Sequence, residues 1–461
     1  MMINDQKRYR LTAAVFVAFA LFVYCSWTII QPLNSAPDEY MHYQISQFIY
    51  QKGALPFGGD PEIINPIWGT SYGFTPILAY IIGAAFMKIT SIFTINESAL
   101  LMSARLVSIL CNTGTVIMCF KIAGKLLTGM YRWMFVIFVA LLPQFIFIGS
   151  YVNSDVLAIF ATSLIIYSWI YGLTSNWSRP SCILLAFGIS LCALSYYNAY
   201  GFILCSMILF LADRMFSYKA ITKTDRTSPA SGRQQFLQQT GRQAGLIIAL
   251  VFILAGWWFI RNAIIYDGDF LGLHTSDYYA QINALEEFKP SHANSGYNNH
   301  WTIFYMLFNT KWLVGSVISM IGCFGYMEMY LKPVVYVIYT AIWGVSLVGL
   351  FFWILSRFGK RTVKLDWKNN LLPVTMLLTI PIPFILSVIY SYYSDIQPQG
   401  RYLLPMLLPM MYLITKGLQL VIEKLFAKTW VRRTIQILLC LWCAAAAGYC
   451  YFYILIPRYV P

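Results

Sequence analysis

Eleven runs of about twenty apolar residues recur along this chain, and about twenty is the length a helix needs to cross a bilayer's hydrocarbon core. They fall near residues 11–30, 100–124, 132–151, 155–173, 181–198, 200–216, 244–264, 333–356, 371–391, 402–422 and 434–456. In lipid every backbone N–H and C=O must find its partner inside the protein, so such runs read as helices. The chain therefore reads as an all-α polytopic membrane protein. Its residues are 59% hydrophobic and 11% charged, more apolar surface than a soluble protein hides. Aromatics at 17% suit belts of Trp and Tyr at two interfaces.

Charge gives the runs an orientation. Lys7, Arg8 and Arg10 precede the first run, which is too long for a signal peptide and lacks a small-residue cleavage site. It reads as a retained helix with a cytoplasmic N-terminus. Alternating from there puts 22 of the 32 Lys and Arg on the cytoplasmic side, including Arg214 to Arg242, Arg357 to Lys368 and Lys424 to Arg433. The formal charge of +14 then reads as topogenic, with no nucleic-acid partner. One transmembrane domain over 1–461 results, with external loops at 31–99 and 265–332 and a polar, flexible cytoplasmic loop at 217–243. Residues 73–93 are apolar enough to span, but crossing would reverse every later basic loop, so they are expected to lie along the outer surface. Ten cysteines are scattered, and Cys440 and Cys443 form a CxxC inside an apolar run, which reads as helix packing rather than a zinc site.

The stretch NSAPDEYMHYQISQFIY places two carboxylates, Asp38 and Glu39, where the first helix leaves the bilayer. Ser35-Ala36-Pro37-Asp38 fits a helix start, with Ser as N-cap. Asp38 reads either as a capping acid or as a general base, since amide dipoles at a helix N-terminus keep a carboxylate ionised. Met41, Ile45, Phe48 and Ile49 form one stripe, predicting a helix flat on the membrane. Glu39 points elsewhere and reads as a substrate contact or a second cap. His42, one turn from Asp38, is in reach of it or of an acceptor sugar, and reads equally as a surface histidine. Asn153, Ser154 and Asp155 fall on the same face, either capping the next run or orienting a base, a sugar or a metal.

Three arginines mark the outer ends of runs: Arg105, Arg261 and Arg401. Guanidinium forks match phosphate oxygens at headgroup depth, although an arginine also snorkels to bulk phospholipid. Asn262 beside Arg261 and Gln399 near Arg401 give those two polar companions, while Arg105 reads either way. The second external loop adds Tyr278, Tyr279, Tyr297, Asn298, Asn299, His300 and Trp301, which suit sugar rings and hydroxyls or plain interfacial belts.

Taken in order, PDEYMHY, SARLVSILCNTGTVIMCFKIAGKL, YVNSD, GWWFIRNAIIYDGDFLG and QGRYLLP resemble the GT-C superfamily of integral-membrane glycosyltransferases. The nearest kin are of the protein O-mannosyltransferase and aminoarabinose-transferase type, in a bacterial branch. The resemblance covers most of the chain. It implies a catalytic Asp in the first external loop, here Asp38 with Glu39 as neighbour, and a sugar donor on a polyprenyl phosphate. Arg261, Arg401 and Arg105 would hold the phosphate. His42, Asn153, Asp155, Asn262, Tyr266, Gln399, Tyr402 and His300 would contact substrate. No cofactor is then required, because arginine charge does the work of a divalent ion, although an ion is compatible with it. The acceptor would be a cell-envelope glycan or glycolipid on the outer face of a bacterial inner membrane, read by loops alone because no soluble domain follows the last run. A polymerase or ligase using a lipid diphosphate is the rival enzyme. A lipid-linked sugar transporter is the rival of another class, and would need charged or broken helices at the midplane.

Overall fold

Long apolar helices make up most of the computed structural model, which describes residues 2–224, 229–358 and 367–460. The first eleven α-helices are α1 (Met2–Ile30), α2 (Glu39–Lys52), α3 (Leu78–Thr90), α4 (Glu97–Leu126), α5 (Tyr131–Ala140), α6 (Pro143–Ile148), α7 (Asp155–Ser175), α8 (Arg179–Ala193), α9 (Gly201–Thr224), α10 (Pro229–Val251) and α11 (Trp257–Ile265). Among the described residues nine helical stretches are long and apolar enough to cross a membrane: Lys7–Ile30, Glu97–Leu126, Asp155–Ser175, Tyr197–Ile221, Gly232–Ile265, Pro333–Leu355, Asn370–Tyr393, Gly400–Leu425 and Thr429–Tyr459. The fold is an all-α polytopic membrane fold.

Two of the eleven expected spans take another form. The run 132–151 breaks into α5 and α6 at Leu141 and Leu142, because Pro143 has no N–H to continue the ladder. The run 181–198 forms only α8, whose 15 residues extend about 22 Å. The expected flexible loop at 217–243 is also corrected. Its described residues are helical, continuing α9 to Thr224 and opening α10 at Pro229; 225–228 lie outside the described residues. Most of the basic stretch 357–368 lies outside them too. Residues 73–93 yield α3, about 20 Å long over its 13 residues and shorter than a bilayer core of about 30 Å.

α4 and α7 sit at the centre, mostly buried, whereas the helices 7–30 and 232–265 leave most of their surface uncovered. Between packed helices in lipid, small and polar residues bring backbones close. Ser108 Oγ donates to Tyr151 O at 2.7 Å and Asn112 Nδ2 to Phe145 O at 2.8 Å, tying α4 to α6 and the turn after it. Gly149 lies so close that a Cβ there would meet Asn112 Nδ2 at 1.8 Å. This turn delivers Tyr151 to the site described below. Cys440 and Cys443 are buried free thiols. Among the described residues no group of three or more His, Cys, Asp or Glu could hold a metal ion.

Late in the chain, a helix at Trp312–Gly322 packs on a 3₁₀ segment at Gly400–Met406. A Cβ at Gly400 would stand 2.1 Å from Met320 N, so only glycine fits, and Ser319 Oγ accepts from Gly400 N at 2.6 Å. This clasp sets the backbone that carries Arg401. A two-residue antiparallel pair, Cys323–Phe324 with Met329–Tyr330, closes the same region.

Candidate active site

Asp38 occupies the N-cap position of α2 in the left-handed region, with φ 62° and ψ 5°. Aspartate tolerates this conformation better than most residues, yet non-glycine residues adopt it sparingly and often at functional sites. Its carboxylate makes no capping bond to α2. The capping role is thereby corrected, and so is Ser35 as N-cap: Ser35 stands outside the helix and its backbone O accepts from Tyr459 OH at 3.3 Å. Asp38 Oδ2 instead accepts from Arg401 Nη2 at 2.7 Å. Arg401 is buried, while the Asp38 side chain keeps 28% of its surface exposed. Burial raises the Asp38 carboxyl; the charge and hydrogen bond of Arg401, together with His42 and a hydrogen bond from Tyr72, outweigh it and hold the group below the usual carboxylate range.

Arg401 Nη2 also donates to Tyr402 OH at 3.1 Å, and Tyr402 OH to Gln397 Oε1 at 3.4 Å. Gln399 bonds Gln397 rather than Arg401, so Tyr402 is the companion that the sequence assigned to Gln399. Arg401 Nε is buried without a hydrogen-bond partner among the described residues, and so is Tyr151 OH. Both residues line one small cavity with Pro37, Gln144 and Gln399.

His42 is buried, stacked on Tyr72 with centroids 3.8 Å apart, and its Nδ1 lies 2.6 Å from Tyr80 OH. It is not the surface histidine of one sequence reading. Burial pushes its imidazole down to about 3 against the opposing pull of Asp38, so the ring is neutral near pH 7. Asp155, nearly buried at the start of α7, feels the charges of both Asp38 and Arg401.

Other expected site residues are engaged elsewhere. Glu39, expected beside Asp38 as a catalytic group, is fully buried. Arg105 Nε and Nη2 donate to its two oxygens at 2.7 and 2.8 Å, and the backbone N–H groups of Asn34 and Val152 add bonds of 3.1 Å each. Arg105, expected to hold phosphate, is also fully buried; its remaining N–H groups go to Thr28 O, Gln31 O and Pro32 O. With all five donors used, it has none for a ligand. Asn153 is corrected likewise: Nδ2 donates to Ile148 O and Tyr151 O, and Oδ1 caps α7 through Val156 N.

Arg261, Asn262 and Tyr266 form a second cluster. Arg261 Nη2 donates to Pro56 O at 2.7 Å and Nη1 to Asn262 Oδ1 at 3.3 Å, with the guanidinium 5.2 Å from the Trp258 ring centre. Tyr266 OH accepts from Gly58 N at 2.9 Å. This cluster grips the first loop at 56–58. His300 lies in a third place, lining a cavity with Tyr297 and Trp301. Tyr72, Tyr80, Tyr151 and Gln397 surround the Asp38–Arg401 pair without having been singled out. They lie in a turn, in α3 and in loops rich in tyrosine, where position in sequence carries no mark of which ring turns inward.

The arrangement offers an ionised, partly exposed carboxylate, a cation with an unused donor, and a surrounding shell of phenols. A family model described as predicted membrane protein (DUF2142) matches residues 64–410. No curated protein matches the chain. Among solved structures, the apo oligosaccharyltransferase of Archaeoglobus fulgidus superposes with a TM-score of 0.54 at 14% identity, covering 95% of this chain and 55% of that one. The oligosaccharyltransferase AglB from Archaeoglobus fulgidus, in complex with an inhibitory peptide and a dolichol-phosphate, gives 0.52 at 11% identity, over 98% and 56%. ArnT from Cupriavidus metallidurans bound to undecaprenyl phosphate gives 0.48 at 12%, over 95% and 64%. The chain thus spans between 55% and 64% of these proteins' lengths. The likeness is one of fold, an all-α polytopic membrane architecture.

Proposed function

The chain belongs to the DUF2142 family of predicted membrane proteins, and from that premise we propose that it is an inverting glycosyltransferase, moving a sugar from a polyprenyl-phosphate donor to an envelope glycan or glycolipid. The observation that carries this is the Asp38–Arg401 pair, 2.7 Å long, in which the carboxylate is spared from capping and the guanidinium keeps a buried donor unused. A buried N–H without an acceptor costs about 1–3 kcal/mol, so Arg401 Nε is suited to an oxygen that arrives with substrate. The dolichol-phosphate in the AglB complex supports a lipid phosphate as that source.

In this mechanism Asp38 takes the proton of an acceptor hydroxyl as its oxygen attacks the anomeric carbon. The bond from that carbon to the phosphate oxygen breaks, and the leaving polyprenyl phosphate keeps the electron pair. Arg401 meets the developing charge, a contribution of the kind worth about 3–4 kcal/mol per donor. Single displacement inverts the anomeric configuration. Arg261, stacked on Trp258 beside Asn262, is the second cation offered to the donor headgroup. Tyr402 and His42 hold Arg401 and the start of α2 in place. The site would face the outside of a bacterial inner membrane, as the basic loops predict.

The test uses protein reconstituted in nanodiscs with a radiolabelled polyprenyl-phosphate sugar or its diphosphate counterpart, plus envelope-glycan acceptors. Transfer from the monophosphate, lost in Asp38→Asn, is expected. Transfer only from the diphosphate, or wild-type rates in Asp38→Asn, would overturn the proposal.

A further inference from the structure

An open surface pocket of about 450 Å³ is lined by Ser291, Tyr297, Asn298, His300, Trp301 and Tyr392, four of them exposed. Small-molecule sites commonly occupy about 300–1,000 Å³. Backbone bonds hold its walls. Tyr297 N donates to Tyr392 O at 2.8 Å, Gly296 N to Ser391 O at 3.3 Å and Trp301 N to Gly296 O at 2.9 Å. Asn298 is pinned through Nδ2 to Ala293 O at 2.8 Å and through its backbone N to Ser295 Oγ at 3.0 Å. His300 takes a left-handed φ of 55°, which turns the chain between Asn299 and Trp301. The frame is organised in advance of any ligand, which lowers the entropic cost of binding.

The lining chemistry is selective. The lining residues carry three aromatic rings, an amide, an imidazole and the Ser291 hydroxyl, which also accepts from Gln281 Nε2 at 3.0 Å, and none of them is a Lys, Arg, Asp or Glu. Tyr297 leaves 61% of its surface uncovered. Aromatic faces pack against the C–H faces of a sugar ring, while hydroxyl, amide and imidazole groups meet its hydroxyls. A phosphate or carboxylate ligand would need a cation that this lining lacks.

We infer that this cavity is a subsite for an uncharged saccharide, and, resting on the transferase reading above, that the saccharide is the acceptor. A chain of bonds joins the two places. Ser391 Oγ accepts from Gln397 N at 3.2 Å, Gln397 Oε1 from Tyr402 OH, and Tyr402 OH from Arg401 Nη2, which holds Asp38. The segment 391–402 therefore carries the cavity wall at one end and the partner of the base at the other.

Saturation-transfer NMR on the full chain in nanodiscs tests it. The neutral probes are methyl glycosides of glucose, galactose, N-acetylglucosamine and rhamnose; glucuronic acid and glucose 1-phosphate are the charged ones. At least one neutral probe should bind wild type. Trp301→Ala should weaken that binding by about tenfold, and Trp301→Phe, which keeps an aromatic face, by no more than about threefold. Absence of neutral binding to wild type, charged probes binding as tightly, or unchanged affinity in Trp301→Ala would overturn the subsite. Failure of the transferase reading looks different: neutral probes bind, Trp301→Ala weakens them, and wild type transfers no sugar from any donor.

Discussion

Arg105 grips Glu39 through two parallel hydrogen bonds of 2.7 and 2.8 Å, both side chains fully buried. The pair joins the start of α2 to the middle of the core, one residue away from the carboxylate proposed to do chemistry. Its neighbour Asp38 faces the other way, toward Arg401. Adjacent acids therefore divide between the one that holds the loop and the one proposed to act in it.

Breaking the Glu39–Arg105 pair should unfold the first loop. Removing one partner of a buried ion pair typically costs about 3–5 kcal/mol, because the other charge stays buried alone. Arg105→Ala and Glu39→Ala should each lower the thermal midpoint markedly, and Arg105→Lys should rescue little, since lysine lacks the fork. Thermal melts in detergent check this. Wild-type stability in either alanine variant would refute the assignment.

Asp38→Asn should behave in the opposite way. The side chain is partly exposed and caps nothing, and asparagine keeps an oxygen for Arg401, so the midpoint should fall less than in Glu39→Ala even though buried Arg401 loses its counter-charge. Transfer should drop by at least about 10²-fold, the lower end of what a positioned base contributes. Parallel measurement of melting and transfer distinguishes the two acids.

Arg401→Ala removes the partner that holds the Asp38 carboxyl down. In wild type the group stays ionised above its depressed value, so the base should give a transfer rate that is flat from about pH 5 to 8. In Arg401→Ala burial prevails, the carboxyl titrates higher, and an acid limb should enter this window alongside a raised donor KM. Rate profiles against pH are the measurement, and an unchanged profile would count against the pair.

Acid should weaken the fold through His42. Its folded value of about 3 lies below the ordinary 6.5. The unfolded chain therefore binds a proton that the folded chain refuses between those values. The contribution of neutral His42 is complete above about pH 6.5 and declines as pH falls toward about 3, by up to about 1.4 kcal/mol per unit. Replacing His42 by Gln should flatten the fall of the melting midpoint between pH 7 and 5. Equal slopes in both proteins would argue against a buried neutral ring.

Much of this architecture was legible in the chain because lipid imposes a simple rule. A run such as 155–173 is too long and too apolar to be anything but a helix in a membrane, and α7 is found at Asp155–Ser175. Breaks inside runs were less legible: Pro143 splits 132–151, yet prolines also sit inside helices, as Pro373 does. The polar stretch at 217–243 reads as a loop, yet its described residues are helical, because low hydropathy does not forbid a helix.

The site divides along the same line. Residue types and their order along the chain determined by themselves that a carboxylate follows the first span and that arginines stand at later span ends. Which acid meets which arginine was decided only in three dimensions. Glu39 and Arg105 lie 66 positions apart, and Asp38 and Arg401 lie 363 apart. Only the packing of α2 against α3 and α4, and the clasp of Gly400 on Met320, brings each pair within hydrogen-bonding distance. Hydropathy is a property of each segment and survives in one dimension. Charge pairing depends on distance between segments, and that distance exists only once the helices have packed.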